Sequence, residues 1–156
     1  MIEVDVPGFA QLTLSHLVLD YNGTLAIDGE LITGVAQSLE AIAQRLEVHV
    51  LTADTFGKAA VGLESLPVNL IILGGEKQDL AKACHVESLG GDRVVAIGNG
   101  RNDRLMLERA RIGVAVIQGE GAAGASLLEA DIVCRDIGSA LELIDHPLRL
   151  TATLRS

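Results

Sequence analysis

One feature constrains this chain more than any other: short β-branched apolar runs alternate with segments of helical spacing from end to end. The runs lie at residues 17–19, 48–51, 68–73, 94–97, 114–116 and 131–133. Most are nearly unbroken by polar residues, as expected of strands buried on both faces of a parallel sheet. Between and after them, residues 34–46, 55–63, 77–87, 102–110, 121–129 and 139–144 place apolar side chains about 3.6 residues apart. This alternation predicts an α/β fold, a doubly wound Rossmann-like parallel sheet with right-handed crossovers. Residues 2–6 and 11–14 flank Pro7-Gly8 and predict a hairpin on the sheet edge. With 156 residues and no linker, repeat or low-complexity tract, we expect one domain spanning 1–156.

Composition narrows the function. Twelve basic residues against twenty-one acidic ones give a net charge of −9. Nucleic-acid binding needs a basic face, so we expect no nucleic-acid partner. The core must be built from Leu, Ile, Val and Ala, because Phe9, Tyr21 and Phe56 are the whole aromatic complement. Cys84 and Cys134 lie fifty residues apart with no CxxC pair, which reads as two buried free thiols in a reducing cytosol. No apolar run reaches the ~18 residues of a membrane span, so no membrane partner is expected. The N-terminus carries Glu3 and Asp5 where a signal peptide carries lysines. We therefore expect a cytoplasmic protein.

In a doubly wound sheet, ligands sit at the carboxyl ends of the strands, near the point where strand order reverses. The first of the parallel strands ends in Asp20-Tyr21-Asn22-Gly23-Thr24, and the second in Thr52-Ala53-Asp54-Thr55. After the third and fourth come Gly74-Gly75-Glu76-Lys77 and Gly98-Asn99-Gly100-Arg101-Asn102-Asp103. A carboxylate at a strand end, followed by glycine, offers a nucleophile beside inward-facing N–H groups. Thr52 and Lys77 supply donors for phosphate oxygens, and Asp103 a partner for a divalent cation. Mg²⁺ favours such a site, with one or two carboxylates plus phosphate oxygens and waters. These parts suit phosphoryl transfer through an aspartyl-phosphate.

The order Asp-x-Asn-Gly-Thr, Leu-Thr-Ala-Asp, Lys, Gly-Asn-Gly-x-Asn-Asp resembles the four motifs of the haloacid dehalogenase (HAD) superfamily. It is most similar to the phosphorylation domain of P-type ATPases, as found in small soluble P-type-ATPase-like proteins. Ile112-Gly113-Val114-Ala115-Val116, Gly119-Glu120-Gly121-Ala122 and Ala130-Asp131-Ile132-Val133 extend the likeness, so that it covers about residues 17–143. The resemblance implies that Asp20 is the nucleophile and the Asn22 carbonyl a Mg²⁺ ligand. It implies that Thr52 and Lys77 hold phosphate oxygens, with Lys77 also neutralising Asp20; Lys58 and Lys82 are its rivals nearby. Asp103 would ligate Mg²⁺ with Asn99 beside it. Gly23, Thr24, Ala53 and Asp54 would line the substrate, and Asp54 reads equally as a cap of the helix that follows.

Two departures shape the expected activity. Phosphatases of this superfamily usually carry aspartate where this chain has Asn22, and an amide cannot shuttle a proton. Asn99 stands where the family usually has aspartate, which leaves Asp20 and Asp103 as the motif carboxylates and weakens Mg²⁺ binding. We therefore expect a slow Mg²⁺-dependent phosphohydrolase, acting on a phosphorylated small molecule or a phosphoprotein. The other reading is a phospho-switch, or a degenerate regulator with little turnover. Twenty-seven residues separate Thr24 from Thr52 and twenty-four separate Thr52 from Lys77, too few for a nucleotide-binding or large cap domain. Only residues 25–32, with Asp28-Gly29, can make a small flap. Such an open site would need a partner or sister subunit to exclude water. The Gly119-x-Gly121-x-x-Gly124 run mimics a dinucleotide fingerprint, but only one strand follows it. His16, His49, His85 and His146 are scattered and fit no ligand spacing, so they read as structural or exposed. Tyr21 should turn its ring away from the Asp20 carboxylate.

Overall fold

The computed structural model describes residues 1–54 and 56–156; Thr55, expected in the second loop and at the head of the next helix, lies outside the described residues. The chain opens with a hairpin, β1 (Ile2–Val6) and β2 (Ala10–Leu14). It then enters β3 (His16–Asp20) and a tiny second hairpin, β4 (Ala26–Ile27) and β5 (Glu30–Leu31). From there helices and strands alternate: α1 (Val35–Ile42), β6 (Glu47–Thr52), α2 (Lys58–Leu63), β7 (Asn69–Ile72), α3 (Gln78–Ser88) and β8 (Val94–Gly98). The last elements are α4 (Arg104–Arg109), β9 (Ile112–Val116), α5 (Gly124–Glu129), β10 (Ile132–Cys134), α6 (Ile137–Asp145) and α7 (Leu148–Leu154).

Six strands pair in the order β10-β9-β8-β3-β6-β7, every pairing parallel. The chain builds outward from β3 through β6 to β7, then crosses back to lay β8 on the other side of β3. Strand order therefore reverses between β3 and β8, which puts the ends of these two strands at the predicted ligand crevice. The doubly wound reading holds.

Alternation along the strands divides the core into two layers. Leu17, Leu19, Val48 and Val50 face one layer, with Leu39 of α1, Leu63 of α2, and Leu141 and Ile144 of α6. Val18, Leu51, Val94 and Ala96 face the other, against Val86 of α3 and Met106 and Leu107 of α4. Aliphatic side chains fill both layers as composition demanded. Among the described residues Tyr21 is the one Phe or Tyr ring in the core, and Phe56 is exposed. Of the two thiols Cys134 is buried, but Cys84 lies on the exposed face of its helix, against the expectation that both are buried.

Two more expectations change, and the minimal flap is as expected. The N-terminal hairpin forms its own two-stranded sheet rather than extending the edge of the large one. Its buried face, Ile2, Val6, Leu12 and Leu14, packs into the first layer. Helix α7, absent from the periodic segments above, follows Pro147 and donates from Thr151 to the Asp5 carbonyl (3.2 Å). The flap is present but minimal. Asp28 and Gly29 turn it with φ of 52° and 82°, and two paired positions make up its whole ladder. Among the described residues, no helix is long and apolar enough to cross a membrane.

Candidate active site

Asp20 ends β3 at the reversal point, nearly buried. Its Oδ2 accepts a hydrogen bond from the Thr24 hydroxyl at 3.2 Å, and its Oδ1 lies 2.7 Å from the Lys82 ammonium. The same ammonium lies 2.7 Å from Oδ1 of Asp103, which is wholly buried. Asp103 is fixed by its other oxygen, Oδ2, which accepts the N–H groups of Asn99 (2.9 Å) and Gly100 (2.8 Å). Gly98 makes this possible, since a Cβ there would sit 2.6 Å from the Asp103 carboxyl carbon. Burial and the negative charge of Asp103 push the Asp20 carboxyl up to about 7, against the pull of Lys82. Burial alone would depress the Lys82 ammonium, but the two carboxylates outweigh it and raise it.

Asn99 and Gln118 lock the loop that follows Asp20. Asn99 Oδ1 accepts from Thr24 (3.2 Å), while its Nδ2 donates to the Gly121 carbonyl (2.9 Å). Gly23, at φ 79°, admits this amide: a Cβ there would meet Asn99 Nδ2 at 2.3 Å. Gln118 donates to the carbonyls of Gly23 (2.8 Å) and Thr24 and accepts the Ile137 N–H at 2.9 Å. It thereby ties the Asp20 loop to the start of α6. Gln118 escaped the sequence reading because no charge or motif marks it.

The largest correction concerns the lysine. Lys77 does not reach the site. It is exposed at the N-terminus of α3, with a left-handed φ of 68°. Lys82 takes the place between the carboxylates. It lies one turn further along α3, and helical side chains lean back toward the N-terminus, here toward the carboxyl edge of the sheet. The signal was in the sequence: Lys82 shares the buried stripe of α3 with Ala83 and Val86, a charge at a core position.

Asp54 resolves toward its other reading. Oδ1 and Oδ2 accept the N–H groups of Ala59 (2.8 Å) and Ala60 (3.2 Å), so the carboxylate caps α2. Thr52 is buried, and its hydroxyl accepts the Asp54 N–H at 3.2 Å. Asn22 is exposed and lines an open cleft of about 470 Å³ with Ala53, Asp54, Phe56, Lys58, Glu120 and the flap tip. The flap is clamped: the Asp28 N–H donates to Glu120 (3.0 Å), Lys58 to the Asp28 carbonyl (3.2 Å) and the Tyr21 hydroxyl to the Gly29 carbonyl (3.1 Å). The Tyr21 ring is thus directed to the flap, away from the carboxylate. The Gly119 to Gly124 run forms the loop after β9, and its downstream Asp136 caps α6 through the Ser139 N–H at 2.7 Å.

Sequence comparison adds family to geometry. A profile of haloacid dehalogenase-like hydrolases matches residues 76–129. An uncharacterized protein of Methanocaldococcus jannaschii is 48% identical over 63 residues, which is 40% of this chain and 68% of that protein. The chain belongs to the haloacid dehalogenase superfamily. A second uncharacterized protein of that organism is 44% identical over 39 residues, 25% of this chain and 89% of that one. Among solved structures, a similar fold is that of the 3-deoxy-D-manno-octulosonate 8-phosphate phosphatase of Moraxella catarrhalis, in complex with magnesium, phosphate and KDO. It has a TM-score of 0.71 at 16% identity and covers 91% of this chain and 94% of that one. A cobalt-bound deoxy-D-mannose-octulosonate 8-phosphate phosphatase of Haemophilus influenzae gives 0.71 at 15% identity, with 91% of each chain covered. These matches establish the superfamily and do not single out its P-type ATPase branch.

The donor set suits a divalent ion. Asp20 and Asp103 turn oxygens toward a single ammonium, so the two carboxylates already converge on one cation. With both carboxyl groups ionised, they and one ammonium leave a net negative charge in a buried place; this is what holds the Asp20 carboxyl up, and an added cation offsets it.

Proposed function

We propose that this haloacid dehalogenase is a Mg²⁺-dependent phosphohydrolase that works slowly, through an aspartyl-phosphate on Asp20. The observation that carries the reading is Asp20 at the strand reversal, sharing Lys82 with Asp103 at 2.7 Å each. Asp20, Asp103 and the Asn22 carbonyl would hold Mg²⁺, with Asn99 beside them. Bound there, the ion neutralises phosphate charge as it develops.

The residues of the chain supply the rest. An Asp20 carboxylate oxygen attacks phosphorus as the bond to the leaving oxygen breaks, and water later cleaves the acyl phosphate to restore Asp20. Lys82 and Thr52 hold the transferred oxygens, and Lys82 keeps Asp20 paired between turnovers. Gly23 and Thr24 shape the loop beneath the phosphate, and Ala53 lines the cleft that takes the leaving group. Asp54 contributes by holding α2. The amide of Asn22 stands where a proton would be exchanged and can neither give nor take one. Leaving groups that need no proton, such as aryl and acyl phosphates, are therefore favoured, and hydrolysis of the phosphoenzyme lags. The open cleft calls for a partner or sister subunit to exclude water.

The test is p-nitrophenyl phosphate or acetyl phosphate with Mg²⁺, on wild type and Asp20→Asn. The sugar phosphate named for the structural neighbours serves as the poor-leaving-group comparison. Turnover lost in the variant supports the proposal. A stoichiometric burst without turnover would make the protein a phospho-switch. No phosphoenzyme with any donor would leave an interaction protein that keeps only the fold.

A further inference from the structure

At the opposite, amino edge of the same sheet, three side chains from two neighbouring strands converge. His16 opens β3, and Glu47 pairs with it in register at the start of β6. His49 lies two residues along β6, on the same face. His16 Nδ1 is 3.3 Å from His49 Nε2 and 3.4 Å from Glu47 Oε2, while His49 Nε2 is 3.8 Å from Glu47 Oε1. One ligand atom from each lies within 4.8 Å of the other two. We propose that His16, Glu47 and His49 form a second metal site, for a zinc-type divalent transition ion, separate from the Asp20 centre.

Three observations support it. The spacing is close to that of a tetrahedron: bonds of about 2.0–2.1 Å from zinc to nitrogen or carboxylate oxygen put neighbouring ligand atoms about 3.3 Å apart. His16 lies 3.3 and 3.4 Å from His49 and Glu47, while the 3.8 Å contact of His49 runs to the other Glu47 oxygen. Two of the three ligands, His49 and Glu47, are already oriented from outside, as is usual for bound metals. His85 of α3 places Nε2 3.4 Å from His49 Nδ1, and Asn69 of β7 donates to Glu47 Oε1 at 3.0 Å. His49 is buried while Glu47 is largely exposed, so the ion would be anchored inside and reachable from solvent, with a fourth position for water. Imidazole with one carboxylate is a borderline donor set that suits zinc better than Mg²⁺, which prefers oxygen alone. The sequence hid this because histidines at 16 and 49 show no local ligand spacing. Only the pairing of β3 with β6 joins them.

The site lies four residues before Asp20 on the same face of β3, about 13 Å away at a strand rise of about 3.3 Å per residue. Helix α3 spans the two, with Lys82 toward one edge and His85 toward the other. A bound ion would clamp β3, β6 and α3 together beneath the catalytic edge.

The test is binding of Zn²⁺ alone to the full chain in excess Mg²⁺, by calorimetry, followed by Co²⁺ as a visible probe. The expected result is one equivalent of Zn²⁺ that Mg²⁺ does not displace, and Co²⁺ bands of four-coordinate intensity. His16→Gln and Glu47→Gln, both at partly exposed positions that tolerate change, should each weaken Zn²⁺ binding at least about tenfold. Asp103→Asn and His146→Gln should leave it unchanged. No Zn²⁺ uptake, or uptake indifferent to His16→Gln and Glu47→Gln, would overturn the site. In that case the cluster is a hydrogen-bonded histidine chain only.

Discussion

The two ends of β3 solve the problem of burying polar groups in opposite ways. At the carboxyl end, Asp20, Lys82 and Asp103 bury full charges whose partners are each other. At the amino end, His16, His49 and His85 pass hydrogen bonds ring to ring, and burial pushes His49 down to about 4, so its ring stays neutral. One end has an imbalance of charge that, in the proposed function, would draw in a cation and a phosphate. The other is hydrogen-bonded around the neutral His49, and in the proposed site it exchanges the His16–His49 contact for a shared zinc-type ion. Helix α3 reaches both, with Lys82 and His85 one turn apart, so substitutions on a single helix can set the two ends against each other.

The sharpest cut is Lys82→Met. It leaves Asp20 and Asp103 facing each other without their cation, and stranding a buried charge costs about 3–5 kcal/mol. Turnover should also fall about 10²–10³-fold or more, as when a positioned donor to a developing charge is removed. Lys77→Met, at the exposed start of the helix, should change neither. Urea unfolding with the p-nitrophenyl phosphate assay on both variants reads the difference. Equal behaviour of the two would break the assignment of Lys82 over Lys77.

Next in size is a gain. Asn22→Asp supplies the missing proton carrier at the mouth of the cleft, and such groups are typically worth about 10²–10⁴-fold. We expect the lower end, about 10², because nothing else there is arranged around a carboxyl group. The increase should be larger for an alkyl phosphate than for an aryl one, since the alkyl leaving group needs the proton. A uniform increase, or none, would place the slow step elsewhere.

His85→Leu is the amino-end counterpart of the lysine cut. It leaves His49 Nδ1 buried without its partner, at a cost of about 1–3 kcal/mol. Activity with Mg²⁺ should hold. The contrast with Lys82→Met, three residues earlier on α3, measures how differently the two ends are held.

How much of this could be read in advance follows from what each residue depends on. The alternation of runs was enough for the parallel sheet, because burial on both faces admits few other patterns. Asp20 ends a strand, and Asn99 and Asp103 follow one, beside glycines and acids that are local in sequence, so their meeting at one edge followed once the topology was known. Lys82 needed helix geometry: position along the chain favoured Lys77, and only the backward lean of a helical side chain favours Lys82. Gln118 and the His16–Glu47–His49 cluster depend on contacts between distant segments, which no spacing rule reports. The N-terminal hairpin formed as expected, but its placement on the sheet edge failed for a related reason. Its pattern specifies two strands and a turn, but not which edge, if any, they join.

The smallest effect concerns Tyr21, which sits beside the charged end yet takes no part in it. Its hydroxyl donates to Gly29 in the flap, and burial, with the negative charges of Glu30 and Asp54 nearby, pushes its pKa up, so it stays a neutral donor. Tyr21→Phe should cost about 0.5–1.5 kcal/mol, the net value of one such hydrogen bond. The Asp20–Lys82–Asp103 arrangement should survive, and turnover should change less than stability does. Because Tyr21 is the sole tyrosine and the chain has no tryptophan, its fluorescence reports this loop alone. Adding Mg²⁺ with a phosphate analogue should shift that emission as the flap adjusts, whereas Zn²⁺ in the presence of Mg²⁺ should leave it nearly flat. A Zn²⁺ response as large as the phosphate response would mean that the two ends of β3 are coupled through the strand itself.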